Sequence, residues 1–149
     1  MKSLSSILLA PERKEAAIAD LAKLLESALS NRGGISGVAI RTSVSMLKAA
    51  KPDVLQRGAA RMLPKFAAAL QPLFDRYQSA GGGDFAAFLG NNATEATKAL
   101  ADAADQLMAT SQNATARSLY EKFRGGAEKD IAAMVPQVGK LIQHYTGKA

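Results

Sequence analysis

The sequence predicts an all-α fold, a single-domain helical bundle of six to eight helices with glycine-rich connections. Three observations predict it. Apolar residues recur at the three- and four-residue spacing of helices, and strand-like alternation never holds for long. Alanine, the strongest helix former, fills roughly a fifth of the chain, whereas aromatic residues make up only 5%. Glycine and proline stand between the periodic stretches, where helices stop and start. The chain has 149 residues, 48% hydrophobic and 21% charged. One domain of that size buries about 68–70% of its unfolded surface and needs no covalent staple.

The first long helix is expected from about Pro11, a residue suited to the first helical position, to Asn31. Ile18, Leu21, Leu25 and Leu29 recur on its inner face, and "RGG" (32–34) ends it. Ser36 caps a second helix to about Ala50, with Ile40, Val44 and Leu47 inward. Pro52 opens a short third helix through Leu55, Ala59 and Met62, which Pro64 interrupts. A fourth turns Phe66, Leu70, Phe74 and Tyr77 inward, with a kink at Pro72. "SAGGGDF" (79–85) is the clearest break, with a flexible point at 80–84, and Asp84 caps a short turn bearing Phe85, Phe88 and Leu89. Asn92 starts the next helix, through Leu100 and Leu107 to about Thr110. A short helix holds Leu119, Tyr120 and Phe123 before a second "RGG" (124–126). The last helix is the cleanest: Ile131, Met134, Val135, Val138, Leu141, Ile142 and Tyr145 form one stripe, and Pro136 lies off it.

"GGISGVAI" (33–40), "RMLPKFAAALQP" (61–72), "SAGGGDFAAFL" (79–89) and "FRGGAEK" (123–129) together resemble a family of small bacterial proteins, best known from actinobacteria, that has no assigned function. The resemblance spans most of the chain. It implies an all-helical fold and a bacterial source, and it supplies no catalytic or binding residue.

Several chemistries lack their residues. Without cysteine there is no disulfide, thiolate metal site or cysteine nucleophile, and a reducing cytoplasm fits. Ile7–Ala10 is too short an apolar run for a signal-peptide core, and nothing approaches the roughly 20 apolar residues of a membrane span. His144 is the only histidine, near the C-terminus and beside the apolar stripe, with no nucleophile turn in view. No Glu-x-x-His pair exists for a di-iron bundle, and Asp102 with Asp105 reads as a surface pair. "GGISG" (33–37) lacks the lysine of a phosphate loop and follows no strand, so it reads as a helix stop and restart. No cofactor and no metal are expected.

Charge is the informative feature. Between Arg32 and Lys65 seven cations face one acid, Asp53, an excess equal to the entire net charge of +6. Arg41 and Lys48 lie two turns apart, opposite Ile40, Val44 and Leu47. Arg57, Arg61 and Lys65 step by four, opposite Leu55, Ala59 and Met62. The two basic faces are expected to merge across Lys51-Pro52, giving Arg41, Lys48, Arg57, Arg61 and Lys65 as candidates for an anionic partner, nucleic acid or an acidic protein surface. The structural alternative pairs Arg57 and Arg61 with Glu95, Asp102 or Asp105. Ala28 to Lys51 also has a helix-turn-helix outline, but the second helix carries no outward Asn or Gln for base edges. No aromatic residue lies between Arg32 and Lys65 to stack single-stranded bases.

The sequence therefore reads as a cytoplasmic, non-catalytic helical binding or structural module with a basic surface at 32–65. A nucleic-acid binder using that face is the alternative. A lipid- or granule-surface protein using amphipathic helices and Ile7–Ala10 is a further one, although the last helix mixes Glu128, Lys129, Asp130 and Lys140 on its polar face. Self-association through an alanine-rich helix face is open as well.

Overall fold

The computed structural model describes residues 3–31 and 34–146. Eight helices follow one another: α1 (Leu4–Leu8), α2 (Pro11–Asn31), α3 (Gly34–Ala50), α4 (Val54–Ser79), α5 (Phe85–Asn91), α6 (Ala93–Ala109), α7 (Ala114–Arg124) and α8 (Ala127–Thr146). Among the described residues there is no strand. Together they form one all-helical domain.

Some element boundaries follow from local chemistry. The side chains of Asp84 and Asn113 accept hydrogen bonds from the Ala87 and Ala116 amides and so start α5 and α7. α3 begins at Gly34, two residues before Ser36, which therefore lies within the first turn instead of capping it. Asn92 sits at the start of α6 without capping it, because its amide donates to the Phe88 carbonyl at the end of α5.

Two departures from the sequence expectation matter. Ile7 and Leu8 of the "ILLA" run end α1, and with Leu4 they are buried against α4 and α8. Those side chains are core and offer nothing to a lipid surface. The second departure is α4, one continuous 26-residue helix where a break at Pro64 was expected. Each internal proline costs about 3 kcal/mol by removing a donor and crowding a carbonyl. Against this, Leu63, Leu70, Leu73 and Phe74 are buried on the inner face, each worth about 1.5–3 kcal/mol. Pro64 and Pro72 both point to solvent, so the rings displace no core side chain.

The "GGG" turn joins α4 to α5 without separating two halves. Gly81, Gly82 and Gly83 have φ of 103°, 79° and 106°, a region that costs other residues a strained Cβ. The Tyr77 hydroxyl donates to the Gly83 carbonyl and the Gly82 amide to the Tyr77 carbonyl. Phe74, Tyr77, Phe85 and Phe88 then pack ring to ring, with centroids 4.9–6.3 Å apart. α5 lies directly on α8: a Cβ on Gly139 would stand 2.7 Å from the Ala86 Cα. Gln143 of α8 accepts from the Phe85 amide at 3.0 Å.

The core has two parts. The larger runs through α1, α2, α4, α5, α6 and α8. A smaller one, Ile40, Val44, Leu47 and Leu119, joins α3 to α7. An apolar pocket of about 160 Å³, partly open to solvent, lies at their seam, with Leu47 and Leu119 on one side and Leu100, Ile131 and Val138 on the other.

Candidate anion-binding cleft

The first half of α4 faces the end of α6 and the turn between α6 and α7. Between them opens a cleft of about 450 Å³. Lys51, Arg57 and Arg61 stand on one side, and Thr110, Ser111, Gln112 and Asn113 on the other. None of its lining residues is acidic. The Asp53 carboxylate is 3.9 Å from the Arg57 Nε, but both side chains are more than half exposed. A pair of that kind is worth about 0–1 kcal/mol and leaves Arg57 available. Among the described residues Arg61 has no acidic partner within ion-pair distance.

The acids expected to neutralise these arginines are engaged elsewhere. Glu95 pairs with Arg76 at 2.8 Å, and Asp105 with Arg124 at 2.9 Å. Asp102 is exposed and reaches neither arginine. The reason is helical phase: Asp105 faces α7 across α6, while the cleft meets the final turn of α6 at Leu107 and Met108.

The predicted single basic face is divided. Arg41 donates to the Ser30 carbonyl at 3.4 Å, and Lys48 pairs with Glu26 at 2.8 Å, so both are tied to α2. α3 packs mainly on α7 and α2, whereas α4 packs on α2 and α6. The turn at Lys51–Asp53 therefore sends the two helices to different neighbours. Lys65 is exposed but does not line the cleft. Steps of four on a helix drift by about 40° each, so the third cation has rotated away from the first. Arg57 and Arg61 are thus the pair that the fold brings together. Lys51, one of the seven cations of the 32–65 segment but not one of its five candidates, joins them. The outward side of α3 shows Val38 and Met46 beside the exposed Arg41, the two apolar residues 56% and 65% exposed.

The far wall of the cleft is held by local bonds. Arg117 donates to the Ser111 carbonyl at 2.7 Å, and the Asn113 carboxamide caps α7. The last carbonyls of α6 are already used: Leu107 accepts from Thr110, and Met108 from the Ser111 amide. The first turn of α7 opens on the cleft and adds partial positive charge.

Behind this wall, Asp105 ties α6 to α7. It accepts from Tyr120 at 2.5 Å and from Arg124 Nε and Nη2 at 2.9 and 3.2 Å, while Arg124 Nη1 reaches Glu128 at 2.8 Å. The hydrogen bonds from Arg124, then from Tyr120, hold the Asp105 carboxyl below its ordinary range. Burial, then the bond to Asp105, pushes the Tyr120 hydroxyl up.

Below the charged rim, the cleft shares Val54, Gly58, Met62, Met108 and Ala116 with the apolar cavity. The cavity is apolar throughout. Tyr120 contributes to its lining, and the Tyr120 hydroxyl is bonded to Asp105. Two signals of this arrangement stand in the sequence: the polar "TSQN" (110–113), and Gly58, a lone glycine in an alanine-rich helix. His144, by contrast, is exposed against the Tyr145 ring and does not line the cleft. Among the described residues no group of three or more His, Cys, Asp or Glu is placed to hold a metal. Among the described residues no helix is long and apolar enough to cross a membrane.

A family model described as a family of unknown function (DUF6918) matches residues 4–146. No curated protein and no solved structure matches the chain.

Proposed function

Since the chain belongs to the DUF6918 family of unknown function, which lends it no chemistry, we propose from its own residues that it is a non-catalytic helical binding module whose working site is the α4 cleft. The observation that carries this reading is the convergence of Lys51, Arg57 and Arg61 on one concave site with no acidic lining residue. A volume of about 450 Å³ lies within the ordinary range for small-ligand sites. Paired guanidinium groups suit a planar or tetrahedral anion, carboxylate or phosphate, because each offers two parallel N–H donors. The site binds an anionic group, and its charge is complemented by the hydroxyl and amide groups of Thr110, Ser111, Gln112 and Asn113. A bacterial source, which the sequence resemblance implies, and a reducing cytoplasm, which the absence of cysteine fits, go with this reading.

The test is an NMR titration of the ¹⁵N-labelled protein with acetate and with inorganic phosphate, at low and moderate salt. Shifts should centre on residues 54–61 and 110–116, weaken with salt, and vanish in the Arg57→Gln/Arg61→Gln variant. Shifts that are absent, or that persist unchanged in the variant, overturn the cleft as the site. A labelled oligonucleotide that binds through Arg41 and Lys48, and not through Arg57 and Arg61, would move the function to the α3 face and to nucleic acid.

A further inference from the structure

We infer that the cleft and the cavity beneath it form one site for a single-chain anionic amphiphile, a hydrocarbon tail ending in a carboxylate or phosphate. The inference rests on the anion-binding reading of the cleft and extends it to the tail. Three observations lead there. The rim is cationic, at Lys51, Arg57 and Arg61. The cavity below it, about 160 Å³, has an apolar lining throughout. The two share a wall made of Val54, Gly58, Met62, Met108 and Ala116.

Each feature alone has a mundane reading, but stacked they match the two ends of one molecule. An apolar cavity of about 150 Å³ lined by aliphatic and aromatic side chains takes up a benzene-sized guest, so a pocket of this volume, partly open to solvent, has room for about six carbon atoms. The dividing wall can yield. Met62 and Met108 are half-buried and unbranched, and such side chains repack around a guest. At Gly58 no side chain fills the gap, and nothing lies within 4 Å of where a Cβ would stand. A glycine there sacrifices helix propensity, and room for a tail beside α4 accounts for it. The head stays at the rim, where the guanidinium forks meet its oxygens, and the tail passes Gly58 toward Leu100 and Leu119.

The experiment compares acetate, octanoate, octyl phosphate and octanol, each as monomers, by NMR titration and calorimetry on the full chain. Each buried methylene strengthens binding about fourfold. Octanoate should therefore bind at least about a hundredfold tighter than acetate, with NOEs from its terminal methyl to Leu100 and Leu119. Octyl phosphate against octanoate decides which head the rim prefers, and octanol should bind far more weakly than either. Ala104→Leu fills the cavity without touching the rim, and a thermal melt confirms that it folds. It should reduce octanoate binding to the level of acetate and leave acetate unchanged. Gly58→Leu, at a position that lines the cleft as well, blocks the passage from the α4 side and should likewise bring octanoate down to the level of acetate. Octanoate binding no tighter than acetate, or binding unaffected by either filling variant, overturns the tail site while the anion site stands. Failure of every anion to bind overturns both.

Discussion

The two ends of the bundle are built to different standards of fit. At the glycine-turn end, α5 lies on α8 so closely that Gly139 leaves no room for a methyl group against Ala86, and four aromatic rings interlock behind it. At the cleft end, α3 and α7 share a small core of their own, and a cavity separates it from the main one. Both ends use alanine-rich helices and a helical glycine. In one the glycine permits contact, and in the other it borders open space. Close packing stabilises the first end. The second retains volume that a folded chain would otherwise fill, which is the usual condition of a binding site.

Truncation gives the largest expected contrast. Phe85→Ala, at a fully buried position, should cost about 3–5 kcal/mol in urea unfolding. Leu119→Ala, beside the cavity, should cost only about 2 kcal/mol, since its side chain has fewer contacts to lose. Equal losses would break the comparison.

The glycines sharpen it with opposite signs. Gly139→Ala should destabilise by about 1–3 kcal/mol, because the added methyl meets the α5 backbone. Gly58→Ala should stabilise by about 0.5–1 kcal/mol from helix propensity alone, since nothing stands in its way. A loss at Gly58 would mean that the cleft wall is already packed.

Titration separates the ends by pH. Tyr145, buried and donating to Asp20 at 2.5 Å, ties α8 to α2. Burial first, then Asp20, pushes its hydroxyl from 10 up to about 12. A raised value means that the neutral form is favoured in the fold. The contribution is therefore complete below pH 10 and is lost as pH rises through about 12. Tyr145→Phe should cost about 1 kcal/mol at neutral pH and remove that alkaline loss.

Asp105 does the reverse at the cleft end. Its carboxyl is held below the ordinary 3.8, so its contribution is present above that value and lost as pH falls through the lowered one. Asp105→Asn should cost about 1 kcal/mol, discounted because its side chain is 42% exposed. Hydrogen exchange should report the opening at α7 before α5. Simultaneous opening of both helices would show that the ends unfold as one unit.

Much of this was legible in the chain, but unevenly. The limits of α2, the Asp84 cap, the Asn92 boundary and the inner stripe of α8 were readable because periodicity and capping are local. α1 was missed because five residues are too few to show a helical period. α4 runs on through Pro64 because the burial of Leu63, Leu70, Leu73 and Phe74, set by the rest of the bundle, outweighs a penalty that is local. Among the candidate cations, Arg57 and Arg61 could be placed together by their spacing, which one helix fixes. Arg41 and Lys48 could not be sorted from them, since which neighbour a helix meets is not written in its own sequence; Lys65 shares α4 with the pair and is set apart by the drift of successive four-residue steps.

The sequence by itself determined an all-helical chain, its punctuation and the segment that holds its charge, because these depend on residues within a few positions of one another. Tertiary structure alone decided which acids the arginines escape, which cations share a cleft, and that an apolar cavity lies beneath it. Those properties arise where α4, α6 and α7 meet, between residues some fifty positions apart, and only packing brings such residues into contact.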